Sequence, residues 1–329
     1  MKKLSTIFRF LTAALALAAL GACNTSGPEQ PAFTDELIRI SAKGSDVRTK
    51  GLLNSADLKK EGTQIKVYDY LTGFTGKING VEVTPEQTVE YFNDFAVCQA
   101  TGTDNWLWNG HQWRWTSTGT HTFIGWLAKD GTTDNPFNVS FDGTDKVLSV
   151  PSITFTKDSP QFDFSYSDVV SVDVQSNAFN ASQSINLPLN HLFTALAVTI
   201  QNNGDSDATI VSVEMSGLKN NKSAAIDFSG DATAVALTPG DTQTNILASF
   251  SDVDFDHGGT KYDLLTGGQI TADNKGQFIL MWPQSSDEVE DISFTVKYTF
   301  DGIYDDQDPT KLYEYEAVCN LRSEERRVG

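Results

Sequence analysis

Ile292-Ser293-Phe294-Thr295-Val296-Lys297-Tyr298-Thr299-Phe300 is the stretch that decides the fold class. Ile292, Phe294, Val296, Tyr298 and Phe300 fall on one side of an extended chain, and Ser293, Thr295, Lys297 and Thr299 on the other. That period of two is what a half-buried strand requires. The same reading extends to residues 153–156, 162–166, 169–174, 192–200 and 210–215. Between such runs stand Asn202-Asn203-Gly204-Asp205, Asp130-Gly131, Asp142-Gly143 and Thr266-Gly267-Gly268. Gly and Asn tolerate the backbone angles that reverse a chain, so these are turns. Short strands separated by frequent turns predict an all-β chain of antiparallel sandwiches. A helix is expected only over residues 85–92 and 55–60.

At the N-terminus, Lys2 and Lys3 precede an apolar run over residues 10–20, closed by Leu20-Gly21-Ala22-Cys23. A positive start, a short apolar core and small closing residues mark a removable export signal. The run is too short to stay as a membrane span. Cleavage is expected between Ala22 and Cys23, with Cys23 lipidated as the new N-terminus. Stable anchoring takes two or more acyl chains, which such processing supplies. Residues 23–32 are small, polar and Pro-containing, which suits a flexible tether. The destination expected is the outer membrane and cell surface.

About 300 residues follow the signal, enough for two domains of ordinary size. The polar stretch over residues 175–183 is the best division, separating an N-terminal sandwich (33–177) from a C-terminal one (178–321). The net charge is -19, and losing Lys2, Lys3 and Arg9 makes the mature chain more negative still. Nucleic acid and anionic lipid headgroups are therefore disfavoured partners. Besides Cys23 only Cys98 and Cys319 remain, and both are expected as free buried thiols. Residues 322–329, Arg-Ser-Glu-Glu-Arg-Arg-Val-Gly, match nothing before them. They read as a non-native tail on a chain cut short at its C-terminus.

Asn190-His191-Leu192-Phe193-Thr194-Ala195-Leu196-Ala197-Val198-Thr199-Ile200, Ile210-Val211-Ser212-Val213-Glu214-Met215-Ser216-Gly217-Leu218 and Phe278-Ile279-Leu280-Met281-Trp282-Pro283-Gln284 follow one another in that order. Upstream stand Arg48-Thr49-Lys50-Gly51, Gly62-Thr63-Gln64-Ile65-Lys66-Val67-Tyr68 and the aromatic residues 106–126. Together these resemble the fimbrillin-like proteins of Bacteroidales, the subunits of type V pili. The resemblance implies two β-sandwiches of transthyretin-like topology and export as a lipoprotein. It also implies assembly by proteolysis and donor-strand exchange, in which an arginine-specific protease removes the first strand and another subunit fills the groove. Such strand insertion takes its affinity from backbone hydrogen bonds and its register from alternating pockets. Residues 33–48 would be the removable strand and loop, with Arg48 the processing residue and Arg39, inside the strand, the weaker alternative. The partners implied are other fimbrial subunits, the outer membrane through the lipid anchor, and a surface receptor in adhesion. The chain departs from the family in that no late donor strand with alternating Tyr residues follows Val318, as expected if the sequence is cut short there or if the subunit caps a fimbria.

The alternative is a monomeric surface lipoprotein that binds glycans on an aromatic platform of Trp106, Trp108, Trp113 and Trp115. Core packing competes with that reading, because the indoles of Trp113 and Trp115 share one face of a strand. Asp252, Asp254, Asp256 and Asp263 imitate the carboxylate spacing of a calcium loop. However, His257 stands where Gly is required, so no metal is expected. His111, His121, His191 and His257 are scattered, and neither a nucleophile elbow nor a phosphate-binding glycine loop is present. Neither an enzyme nor a cofactor is expected.

Overall fold

The computed structural model describes residues 33–44, 58–263, 266–271, 278–289, 292–308 and 311–320. The expected signal and tether, with Ala22 and Cys23, and also Arg48 and residues 322–329, lie outside them. The strands of the first half are β1 (Arg39–Gly44), β2 (Gln64–Thr72), β3 (Gly76–Ile78), β4 (Val81–Val83), β5 (Val89–Cys98), β6 (Trp106–Trp108), β7 (Thr120–Asp130), β8 (Thr133–Asp134), β9 (Ser140–Asp142), β10 (Val147–Thr154), β11 (Ser165–Ser167) and β12 (Val170–Asp173). There follow β13 (Ser184–His191), β14 (Thr194–Leu196), β15 (Thr199–Gln201), β16 (Ala208–Ser216), β17 (Asn221–Asp227), β18 (Ala234–Pro239), β19 (Ile246–Phe255), β20 (Lys261–Asp263) and β21 (Ile279–Met281). After a single helical turn, α1 (Ser286–Val289), come β22 (Ser293–Tyr304) and β23 (Leu312–Asn320). The all-β expectation holds.

The largest sheet runs β1-β13-β11-β7-β2-β5-β6, with β8 and β12 also on β7. A second sheet, β18-β17-β10-β9, shares its core. Ile65, Val67 and Leu71 of β2, Phe123 and Leu127 of β7, and Leu148 and Ile226 from the second sheet are all without solvent exposure. Phe155, Phe193 and Trp282 close this core with edge-to-face contacts, ring centroids 4.8–6.0 Å apart. The third sheet is β19-β16-β22-β23. It packs on the short pairs β14-β21 and β15-β20 around two smaller clusters, centred on Ile210 and on Met215.

The opening stretch forms β22 as read, pairing with β16 and β23. The expected strand over residues 192–200 is two short strands, β14 and β15, interrupted at Ala197 and Val198. The helix expected over residues 85–92 is a turn followed by the start of β5. Val89, Tyr91 and Phe92 prefer a pleated surface, and eight register partners on β2 hold the strand. Over residues 55–60, the described part is turn and loop rather than helix.

Strand pairing crosses residue 177. β13 joins β1 and β11, and β17 joins β10. The core around Trp115 and Trp282 is thus assembled from both sides of that position.

Candidate functional site

β1 differs from every other paired strand described. Its register, Arg39 on Ser184 through Gly44 on Leu189, is parallel, whereas the other ladders are antiparallel. A parallel pair cannot come from a hairpin and requires a crossover, here the chain between residues 44 and 184. Ile38, Ile40 and Ala42 alternate inward, with exposures of 1%, 3% and 3%. Arg39 and Lys43 turn outward. Burying each of the two isoleucines contributes about 1.5–3 kcal/mol.

The residues before β1 are held from the opposite side. Thr34 N–H donates to Trp115 O (3.0 Å), Ile38 N–H to Trp113 O (2.8 Å) and Trp115 N–H to Glu36 O (3.3 Å). Leu37 and Arg114 form an antiparallel bridge. The Trp108 indole donates to Ile38 O at 2.7 Å. β1, at one end of the largest sheet, is thereby brought against β6, at its other end. Where the two strands diverge they leave a slot of about 630 Å³, whose walls include Arg39, Ile40, Trp106, Trp108, Asn105 and Gln112.

The four tryptophans of the expected platform do not share an exposed surface. Trp115 is fully buried, with its indole N–H donating to Ala181 O at 3.1 Å. Trp113 lies stacked on Phe92 at 4.6 Å and donates to Asp94 Oδ2 at 2.9 Å. Trp106 is 6% exposed, and Trp108 meets Phe92 edge-on at 5.0 Å. Of the four, Trp106 and Trp108 line the slot. Arg39 pairs with Ser184 within the ladder, which leaves its backbone less open to a protease than an unpaired loop. Cys98 is a free, buried thiol, and burial pushes it above its ordinary pKa.

A buried polar chain escapes the sequence reading. His121 Nδ1 meets Asp69 Oδ2 at 2.5 Å, and its Nε2 meets Thr116 Oγ1 at 2.9 Å. Thr116 in turn donates to Thr118 O at 2.8 Å. Neither the Asp69 nor the His121 side chain has any solvent exposure. Burial pushes the Asp69 carboxyl up to about 6, with the nearby His121 opposing the shift. Burial, reinforced by the Asp69 charge, pushes the Tyr91 hydroxyl up to about 12. The arrangement carries nucleophile, base and acid in sequence, but no substrate can reach it, so its work is structural. One signal was available: Asp69 falls on the apolar side of the alternation Ile65, Val67, Leu71, and a carboxylate there needs a partner.

The other candidates are dispersed. Asp254 is in the β19 ladder opposite Thr209, Asp256 accepts from Gln269, and the buried Asp263 accepts from Thr266. Among the described residues no group of three or more potential metal ligands comes together. His191 Nδ1 lies 2.8 Å from Asp163 Oδ2, both mostly buried. No described helix is long and apolar enough to cross a membrane.

No protein-family model matches the chain, and no curated protein matches it in sequence. Among solved structures it is similar to a candidate cell adhesion protein from Bacteroides ovatus, at 14% identity and a TM-score of 0.41 over 88% of this chain and 89% of that one. A candidate adhesin from the same organism is similar at 9% identity and a TM-score of 0.26, covering 89% and 87%. The fimbrial anchor protein Mfa2 from Porphyromonas gingivalis is similar at 12% identity and a TM-score of 0.22, covering 70% and 80%. At these scores the likeness fixes neither a site nor an activity.

Proposed function

We propose that this chain is a surface-directed lipoprotein, anchored through Cys23, that serves as a structural or tip subunit of a type V-like fimbria in cell adhesion. β1 is its removable strand. Cleavage after Arg48 releases the segment, and an extended strand of another subunit takes its seat against β13. The observation that carries this reading is the pairing of β1: a parallel strand joined to its partner only across a long crossover. Such a strand can leave without unravelling a hairpin. Its seat would keep the unpaired β13 edge and the apolar pockets of Ile38, Ile40 and Ala42, which is what β-augmentation uses. The two-sandwich division at residue 177 belongs to the same proposal, with β13 and β17 reaching across it.

The test is treatment of the mature chain with an arginine-specific protease, followed by intact mass and oligomer size in detergent. A cut after Arg48 with a ladder of detergent-resistant oligomers is the expected result. Resistance at Arg48, or cleavage that leaves only monomer, would overturn the strand-exchange reading.

A further inference from the structure

The slot between β1 and β6 has features that strand removal does not use. The Leu37–Arg114 bridge and the bond from the Trp108 indole to Ile38 O span it beside the start of β1. Ile38 directs both its N–H and its C=O to the β6 side. Backbone groups alternate sides along a strand, so those of Ile40 also turn toward the slot. The opposite wall carries Trp106, whose indole nitrogen is fully buried and has no hydrogen-bond partner among the described residues. A buried donor left unpaired costs about 1–3 kcal/mol, which a ligand oxygen recovers once a small turn of the indole opens its nitrogen to the slot.

The remaining lining sets the class of ligand. Leu107, 54% exposed, and Trp108 offer apolar surface, and Asn105 and Gln112 offer exposed side-chain amides with no side-chain bond among the described residues. Asp104 is engaged by Lys59 at 2.8 Å, so the slot presents little free charge beyond Arg39. The chain as a whole carries -19, which disfavours anions. Apolar faces with a few uncharged donors and acceptors, in a space of about 630 Å³, suit a small polyol more than an ion. Backbone groups at Leu37 and Ile38 are already bonded across the slot, which suits a short ligand such as a terminal sugar more than a through-running peptide strand.

We propose that this slot binds the terminal residue of a neutral saccharide. Trp108 and Leu107 lie against the apolar face of the ring, and Trp106 Nε1, Asn105 and Gln112 bond its oxygens. The proposal goes beyond the assembly reading and does not depend on it. Because β1 forms one wall, saccharide binding belongs to the subunit that still holds β1, and loss of β1 abolishes it.

The test titrates the uncleaved mature chain with lactose, N-acetyllactosamine, cellobiose and mannotriose, read by tryptophan fluorescence and calorimetry. Sialyllactose is the anionic comparison, and a set of extended peptides is the competing class. At least one neutral sugar is expected to bind with a Kd of about 1 mM or tighter. Asn105→Ala and Gln112→Ala, both exposed in the free protein, are each expected to weaken binding about five- to tenfold without moving the unfolding transition. Trp106→Phe, which removes the unpaired donor, should weaken it similarly. Absence of binding by every neutral sugar at about 10 mM, unchanged affinity in these variants, or capture of an extended peptide instead would overturn the proposal. The protease assay uses no saccharide, so failure of either experiment leaves the other standing.

Discussion

The largest sheet and the sheet β19-β16-β22-β23 bury their apolar faces to different depths. In β2, Ile65, Val67 and Leu71 have no solvent exposure, and the second sheet and a belt of aromatic rings lie over them. In β22, Phe294, Val296, Tyr298 and Phe300 alternate as regularly but are only partly buried. Two short strand pairs cover them in place of a full opposing sheet. Tyr304, Tyr313 and Val318 at the far edge are 54%, 45% and 59% exposed. Alternation sets which side of a strand turns inward, whereas the depth of burial depends on what is packed against that side. The first region therefore holds most of the chain's stability, and the second is where local opening should begin.

Trp115→Ala gives the largest contrast. It removes a fully buried indole and its bond to Ala181 O, and about 3–5 kcal/mol should be lost in urea unfolding. A loss below about 1 kcal/mol would mean that the first core is no tighter than the second.

The buried carboxylate gives the next contrast, because among the described residues only the first core holds such a group with its pKa pushed up to about 6. The folded value lies above the unfolded one, so the contribution of Asp69 is fully present below about pH 4 and is lost as pH rises through about 6. The stability of the wild type relative to Asp69→Asn should fall by up to about 3 kcal/mol across that window. A flat difference between pH 4 and 7 in paired chemical-denaturation curves would show that the His121 contact cancels the burial effect.

Gly119→Ala is a smaller probe of the same region. Gly119 has φ +94°, and a Cβ there would lie 2.7 Å from Thr72 O, so about 1–3 kcal/mol should be lost. Thermal unfolding would measure it. Val296→Ala in β22 should cost only about 1 kcal/mol, since its side chain is only partly buried. Lys297→Ala, which removes an exposed ion pair with Glu314 at 3.2 Å, should change stability by less than about 0.5 kcal/mol. Hydrogen exchange sharpens the comparison: amides of β22 and β23 should exchange before those of β2 and β7, and equal protection would erase the distinction.

Part of the candidate site could be read along the chain. Ile38, Ile40 and Ala42 identify an inward-facing strand, and Trp113 with Trp115 an inward-facing pair, although residues 113–115 form an isolated bridge at Arg114 and not the strand expected. The parallel seat of β1 could not be read, because a period of two is the same in parallel and antiparallel ladders. The slot was also hidden, since Ile40 and Trp106 meet only when the two ends of one sheet approach. His121 looked isolated because its partner Asp69 lies 52 residues away.

The chain by itself determined most of its strands and turns and the side they bury, though not the start of β5 or the break at Ala197 and Val198, because such local features depend on neighbours one or two residues apart. It also carries the basic start and the apolar run over residues 10–20 on which the proposed export signal rests. Tertiary structure alone decided that β13 and β17 cross residue 177 to complete the first core, that Asp69 and His121 share a dry interior, and that β1 closes against β6. Those contacts join residues tens to more than a hundred positions apart, and no local period records which distant edge will cover a given face.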